Sequence, residues 1–124
     1  MNEKDLQINI CRWLKMQYPE VIFTSESSGL RLTIGQARSL AKQRSGKGLP
    51  DLMIFEPRGD YHGLFIELKR EGEKVFRRDG QIRSDAHLQD QYSVINRLND
   101  KGYLAGFAIG FDEARALITK YMKQ

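Results

Sequence analysis

The sequence predicts an α/β protein in the order αβαββαβα, with a small mixed central sheet flanked by helices on both sides. Three observations carry this. Two apolar runs, Leu52-Met53-Ile54-Phe55 and Leu64-Phe65-Ile66-Glu67-Leu68-Lys69, are separated by the turn-forming Glu56-Pro57-Arg58-Gly59-Asp60 and read as an antiparallel strand pair. Apolar residues at helical spacing open and close the chain. Between the strand pair and the last helix, a helical pattern over residues 86–101 stops at Gly102 and leads into Tyr103-Leu104-Ala105-Gly106-Phe107-Ala108-Ile109, an uncharged stretch suited to a buried strand.

Each element has a local reason. Residues 3–18 form a helix because Leu6, Ile10, Trp13 and Leu14 recur at helical spacing, with Asn2 as N-cap and Pro19 as a stop. Val21-Ile22-Phe23-Thr24 reads as a short strand and residues 25–29 as a loop. Thr33 and Gln36 have capping-box spacing, which predicts a second helix over residues 34–44. Ser45-Gly46-Lys47-Gly48 then makes a glycine loop into Pro50-Asp51, where small residues let backbone approach a phosphate. Residues 71–84 are polar and glycine-containing, and are expected to be a mobile loop. In the third helix Leu88, Ile95 and Leu98 make one stripe, and Asp112 is the expected cap of a last helix facing inward with Ala114, Leu117, Ile118 and Tyr121.

At 124 residues the chain suits one domain spanning residues 1–124, and its 40% hydrophobic and 29% charged content suit a soluble globular protein. It has no apolar segment of membrane-spanning length and no signal-like N-terminus, so a cytoplasmic location is expected, in a bacterial or phage-infected cell. Cys11 is the only cysteine, which excludes an intramolecular disulfide and a cysteine-based zinc site. His62 and His87 have no second ligand at metal spacing and read as surface residues.

The net charge of +4 is mild, but its distribution is informative. Residues 27–50 contain no acid and carry Arg31, Arg38, Lys42, Arg44 and Lys47. A second basic group, including Arg77 and Arg78, follows the Glu67–Lys69 strand. Basic residues thus flank a carboxylate centre on both sides, an arrangement suited to holding a polyanion such as DNA.

That centre is Asp51, Glu67 and Lys69. Residues i and i+2 of a strand share a face, so Glu67 and Lys69 point into one space that Asp51 can reach from the neighbouring strand. Carboxylates gathered in an apolar sheet repel one another and lose hydration, a cost that a divalent cation removes. Mg²⁺ takes hard oxygen ligands, commonly one or two carboxylates with waters and substrate phosphate. A lysine beside it could orient or deprotonate the attacking water, or neutralise charge on phosphorus. The chemistry indicated is metal-assisted phosphodiester hydrolysis. Gln91 lies within an apolar helical stripe and needs a polar partner, which this cluster could supply.

The string Gly48-Leu49-Pro50-Asp51, followed by Ile66-Glu67-Leu68-Lys69 and then by Gln91 on a helix, resembles the VRR-NUC domain of the PD-(D/E)xK nuclease superfamily. The resemblance runs from Glu3 to the last helix and is most specific between Gly48 and Gln91. It implies an αβββαβ core and a Mg²⁺- or Mn²⁺-dependent DNA endonuclease. In that reading Asp51 and Glu67 are metal ligands, with the Leu68 carbonyl a further one. Lys69 and Gln91 serve the attacking water, and Glu3, in the first turn of the first helix, completes the acidic site. The likeness of single-domain members to Holliday junction resolvases implies a homodimer acting on branched DNA such as a four-way junction. A nuclease of duplex or flap DNA without junction preference, and a non-catalytic DNA-binding module, are the alternatives.

Overall fold

A computed structural model describes residues 1–25 and 32–124. Its elements are α1 (Glu3–Gln17), β1 (Phe23–Ser25), α2 (Ile34–Ala41), β2 (Leu52–Ile54), β3 (Leu64–Lys69), α3 (Ala86–Asp100), β4 (Leu104–Ile109) and α4 (Phe111–Met122). The predicted order αβαββαβα therefore holds, and the chain has the mixed sheet flanked by helices expected of the PD-(D/E)xK core.

Among the described residues the sheet has four strands in the order β1-β2-β3-β4. The first two pairings are antiparallel, with Phe23 opposite Ile54 and Leu52 opposite Ile66. β4 runs parallel to β3, Glu67 opposite Phe107 and Lys69 opposite Ile109. A parallel neighbour requires a crossover, and α3 provides it.

Period-two alternation divides the sheet into two faces. Leu52, Ile54, Leu64, Ile66, Leu68 and Ala108 pack with Leu6, Ile10 and Leu14 of α1 and with Ala114, Ile118 and Tyr121 of α4. The opposite face carries a smaller cluster in which Phe65 and Ala105 meet Ile95 of α3, joined by Met53, Tyr103 and Phe107. Glu67 and Lys69 lie on the same side of β3 as Phe65, so they point from the sheet toward the α3 side.

The helix ends follow capping chemistry with one correction. Asn2 accepts from the Asp5 amide at 2.8 Å, and Thr33 and Gln36 make the reciprocal capping box. Asp112 does not cap α4. The helix begins two residues earlier than that cap implies, at Phe111 after Gly110 at φ 87, and Glu113 accepts from the Ile109 amide instead. Glycine suits Gly110 because other residues rarely adopt that backbone.

Three boundaries also move. β1 starts at Phe23 rather than Val21, and Ile22 remains exposed while its carbonyl accepts from the Phe55 amide. α2 ends at Ala41, leaving Arg44 beyond it. Within residues 71–84, expected as a loop, Val75 is buried, Phe76 and Ile82 form an antiparallel bridge, and Gly80 at φ 84 turns the chain between them. Phe76 anchors this hairpin by edge-on contacts with Tyr92 and Phe107. Arg31 and Glu26 lie outside the described residues.

Candidate active site

The antiparallel pairing of β2 with β3 brings the start of one strand beside the end of the other. Because Leu52 is opposite Ile66, Asp51 arrives opposite Glu67. The Asp51 Oδ2 accepts from the Leu68 amide at 3.0 Å, extending the ladder by a side chain where β2 has ended. Glu67 is hydrogen-bonded to Asp51, and both Glu67 and Lys69 are only 4% exposed. The i, i+2 spacing read from the sequence thus does place the two side chains together.

Other elements close the space. Gln91 of α3 is also 4% exposed, while Gln89 points to solvent. Gly48, at φ 85, presses against α3: a Cβ there would lie 2.7 Å from the Asp90 carbonyl oxygen and 2.9 Å from the Gln91 nitrogen. Only glycine permits this approach, which fixes the entry into Pro50-Asp51 against the helix that carries Gln91. The first turn of α1 contributes Glu3. Together Glu3, Asp51, Glu67, Lys69 and Gln91 line one cavity of about 510 Å³.

The same cavity is lined by Arg44 and Lys47, the two basic residues that most closely precede Asp51 in sequence. Arg38 and Lys42 are exposed and do not line it, and Arg77 and Arg78 lie exposed in the 71–84 hairpin, Arg77 paired with Asp79 at 3.1 Å. The basic residues expected to contact DNA therefore fall into two at the cavity and four away from it, with Arg31 undescribed.

Two cavity residues escaped the sequence reading. Glu73 sits in the polar 71–84 segment, where a turn in which its amide donates to the Arg70 carbonyl folds it back to a side-chain hydrogen bond with Glu3. His87, expected to be a plain surface residue, is solvent-exposed yet lines the cavity, with its Nε2 3.2 Å from the Gln91 Nε2. Its position four residues before Gln91 was the available signal, since i and i+4 share a helix face.

The electrostatics are those of crowded carboxyls. Burial, followed by the hydrogen bond and charge of Asp51, pushes the Glu67 carboxyl up to about 10, with Lys69 opposing. Burial also raises Glu3, against the pull of Lys69 and with Glu73 and Asp51 adding to the rise. Among the described residues three buried side-chain oxygens have no hydrogen-bond partner: Glu67 Oε1, Glu73 Oε2 and Gln91 Oε1. Such atoms are costly unless a donor or cation meets them. Among the described residues no group of three or more His, Cys, Asp or Glu side chains converges as a ready metal cage. A paired Asp51 and Glu67 with an orphaned Glu67 oxygen still fits a hard cation such as Mg²⁺, which keeps waters and needs few carboxylates.

A mixed sheet whose middle strands present two carboxyls and a lysine to one cavity defines the nuclease-type α/β class. The profile of the VRR-NUC domain matches residues 1–112, and the chain belongs to that family. It is thus a nuclease-type domain. A solved structure described as a VRR_NUC domain protein superposes with a TM-score of 0.71 at 26% identity, over 99% of this chain and 89% of that one. No curated protein matches the chain. Among the described residues no helix is long and apolar enough to cross a membrane.

Proposed function

We propose that the chain is a Mg²⁺- or Mn²⁺-dependent DNA endonuclease that hydrolyses phosphodiester bonds, favours branched DNA such as four-way junctions, and works as a homodimer. The observation that carries the reading is the buried Glu67 paired with the half-buried Asp51, with an unpartnered Glu67 oxygen, beside the buried Lys69. Asp51 and Glu67, with the Leu68 carbonyl, would hold the ion, and Glu3 would complete the acidic site. The ion supplies neutralisation of phosphate charge and a more acidic water.

The chain's own residues do the rest. Lys69, itself buried, positions the attacking water or offsets charge that grows on the phosphate oxygens. Gln91 holds an acceptor oxygen toward the same space. Arg44 and Lys47 bind the DNA backbone at the cavity, and Arg38, Lys42, Arg77, Arg78 and Arg31 extend that contact along the duplex arms. The preference for junctions and the dimer rest on the resemblance to junction resolvases.

The test is cleavage of a labelled four-way junction beside a linear duplex of the same sequence, with Mg²⁺ or Mn²⁺, for the wild type and Lys69→Ala. Paired cuts in the junction by the wild type, with binding but no cutting by the variant, support both chemistry and substrate. Equal cutting of both substrates keeps the nuclease and removes the junction preference. Binding without cutting under either metal moves the assignment to a non-catalytic DNA-binding module.

A further inference from the structure

We infer that His87 is a positioning residue, whose ring nitrogen fixes which end of the Gln91 amide faces the catalytic cavity. The inference rests on the nuclease reading of the site and adds a residue to it.

The geometry begins at the start of α3. The Asp85 carboxylate caps the helix by accepting from the Leu88 amide at 3.0 Å, so His87 stands in the first turn and Gln91 one turn further on, on the same side. The His87 Nε2 and the Gln91 Nε2 lie 3.2 Å apart. An amide nitrogen carries two hydrogens and no free acceptor pair, so it must be the donor. His87 then accepts at Nε2 and holds its own proton at Nδ1.

The consequence falls on the other end of the amide. With its nitrogen engaged by His87, Gln91 turns its Oε1 away from the imidazole, buried and without a protein partner. Gln91 is 4% exposed, and the cavity that it lines also contains Lys69, Glu67 and Asp51. An acceptor held there suits the donors that hydrolysis needs at that place, a water or the Lys69 ammonium. Were His87 to present an N–H instead, the amide would reverse, and its NH₂ would face a cavity that already contains an ammonium. A glutamine amide has ends of nearly equal size, so shape alone distinguishes them poorly and a hydrogen-bond partner must choose. The imidazole does.

The role differs from that of a catalytic group. His87 is exposed at the cavity and acts on the chemistry through its contact with Gln91, so its removal should leave DNA binding intact and slow the chemical step. Phenylalanine keeps the ring shape and deletes the acceptor. Glutamine restores an acceptor oxygen at a comparable reach.

The experiment uses single-turnover cleavage of a labelled four-way junction with Mg²⁺, together with binding of the same DNA. His87→Phe should lower the cleavage rate roughly ten- to hundredfold, as loss of an orienting partner typically does, with DNA affinity unchanged. His87→Gln should recover most of that loss. In a Gln91→Ala background, His87→Phe should have no further effect, because the two act as one unit. A His87→Phe variant that cuts at the wild-type rate, a His87→Gln variant as slow as His87→Phe, or additive losses would each overturn the assignment. A second readout is independent of cleavage: ¹⁵N–¹H spectra of the imidazole should show neutral His87 protonated at Nδ1 and bare at Nε2, and the opposite tautomer would overturn it. If the wild type cuts no DNA with either metal, the nuclease reading fails, and the tautomer still decides whether His87 orients Gln91.

Discussion

The Asp51 carboxylate accepts from the Leu68 amide at 3.0 Å, so one side chain both ends the pairing of β2 with β3 and stands in the candidate metal site. The two duties are separable. Asn at this position keeps an oxygen that can accept from Leu68, whereas Ala leaves a buried amide without a partner. Asp51→Asn should abolish cleavage with little change in thermal stability. Asp51→Ala should abolish cleavage and also cost about 1–3 kcal/mol of stability, read by denaturant unfolding.

Glu67 makes stability depend on pH. In the metal-free fold, burial and Asp51 hold its proton up to about 10, against an ordinary value of 4.5 in the unfolded chain. Below pH 4.5 both states carry the proton and the group has no effect. As pH rises from there, the unfolded chain releases the proton and the folded chain keeps it, so stability falls until the folded group also titrates. The slope is at most about 1.4 kcal/mol per pH unit. Thermal unfolding without metal should therefore occur at a lower temperature near about pH 8 than near about pH 5, and Glu67→Gln should flatten that dependence. Mg²⁺ should flatten it too, by displacing the proton, so its affinity should rise with pH.

Gly48 is the point where the glycine loop packs against α3. A methyl group there meets the Asp90 carbonyl and the Gln91 nitrogen below 3.0 Å, and the backbone conformation itself disfavours a side chain. Gly48→Ala should cost about 1–3 kcal/mol from backbone strain alone. The clash should also shift Gln91, so the cleavage rate should fall even where circular dichroism shows an intact fold. A stable, fully active Gly48→Ala would show that the loop and helix move apart freely.

Arg44 and Lys47 line the cavity, while Arg38 and Lys42 do not. Neutralising either of the first pair with glutamine should weaken DNA binding and reduce the slope of log K against log salt by about 1 for each phosphate that is no longer neutralised. The same change at Arg38 or Lys42 should have a smaller effect. Equal effects at all four would place the DNA across α2 rather than over the cavity.

Much of the site was legible because strand geometry is strict. Two residues on one strand at i and i+2 must share a face, and that alone joins Glu67 to Lys69. Gln91 could be read because a polar side chain inside an apolar stripe needs a reason. The hairpin at 71–84 was hidden for the opposite cause: its polar composition masks Val75, which is buried, and Phe76, which is held by two rings from elsewhere in the chain. Glu73 depends on the same turn and was missed with it. The cap of α4 was misplaced because Asp112 has the right chemistry at nearly the right position, and a glycine conformation invisible to pattern reading starts the helix first. At β1 the apolar run suggested Val21 onward, yet pairing with β2 sets the ladder from Phe23.

The packing of α1 against α4 has a consequence for when the candidate centre is complete. Asp51, Glu67 and Lys69 come from adjacent strands and can meet as soon as that meander forms. Glu3 is emitted first by the ribosome, but Leu6, Ile10 and Leu14 behind it bury themselves partly on Ala114, Ile118 and Tyr121 of the final helix. Until those residues emerge, α1 has only half its seat, and short helices without a tertiary seat are marginal in water. The first residue of the candidate centre to be synthesised is thus the last to be secured, and a nascent chain carries an incomplete cluster until α4 has docked.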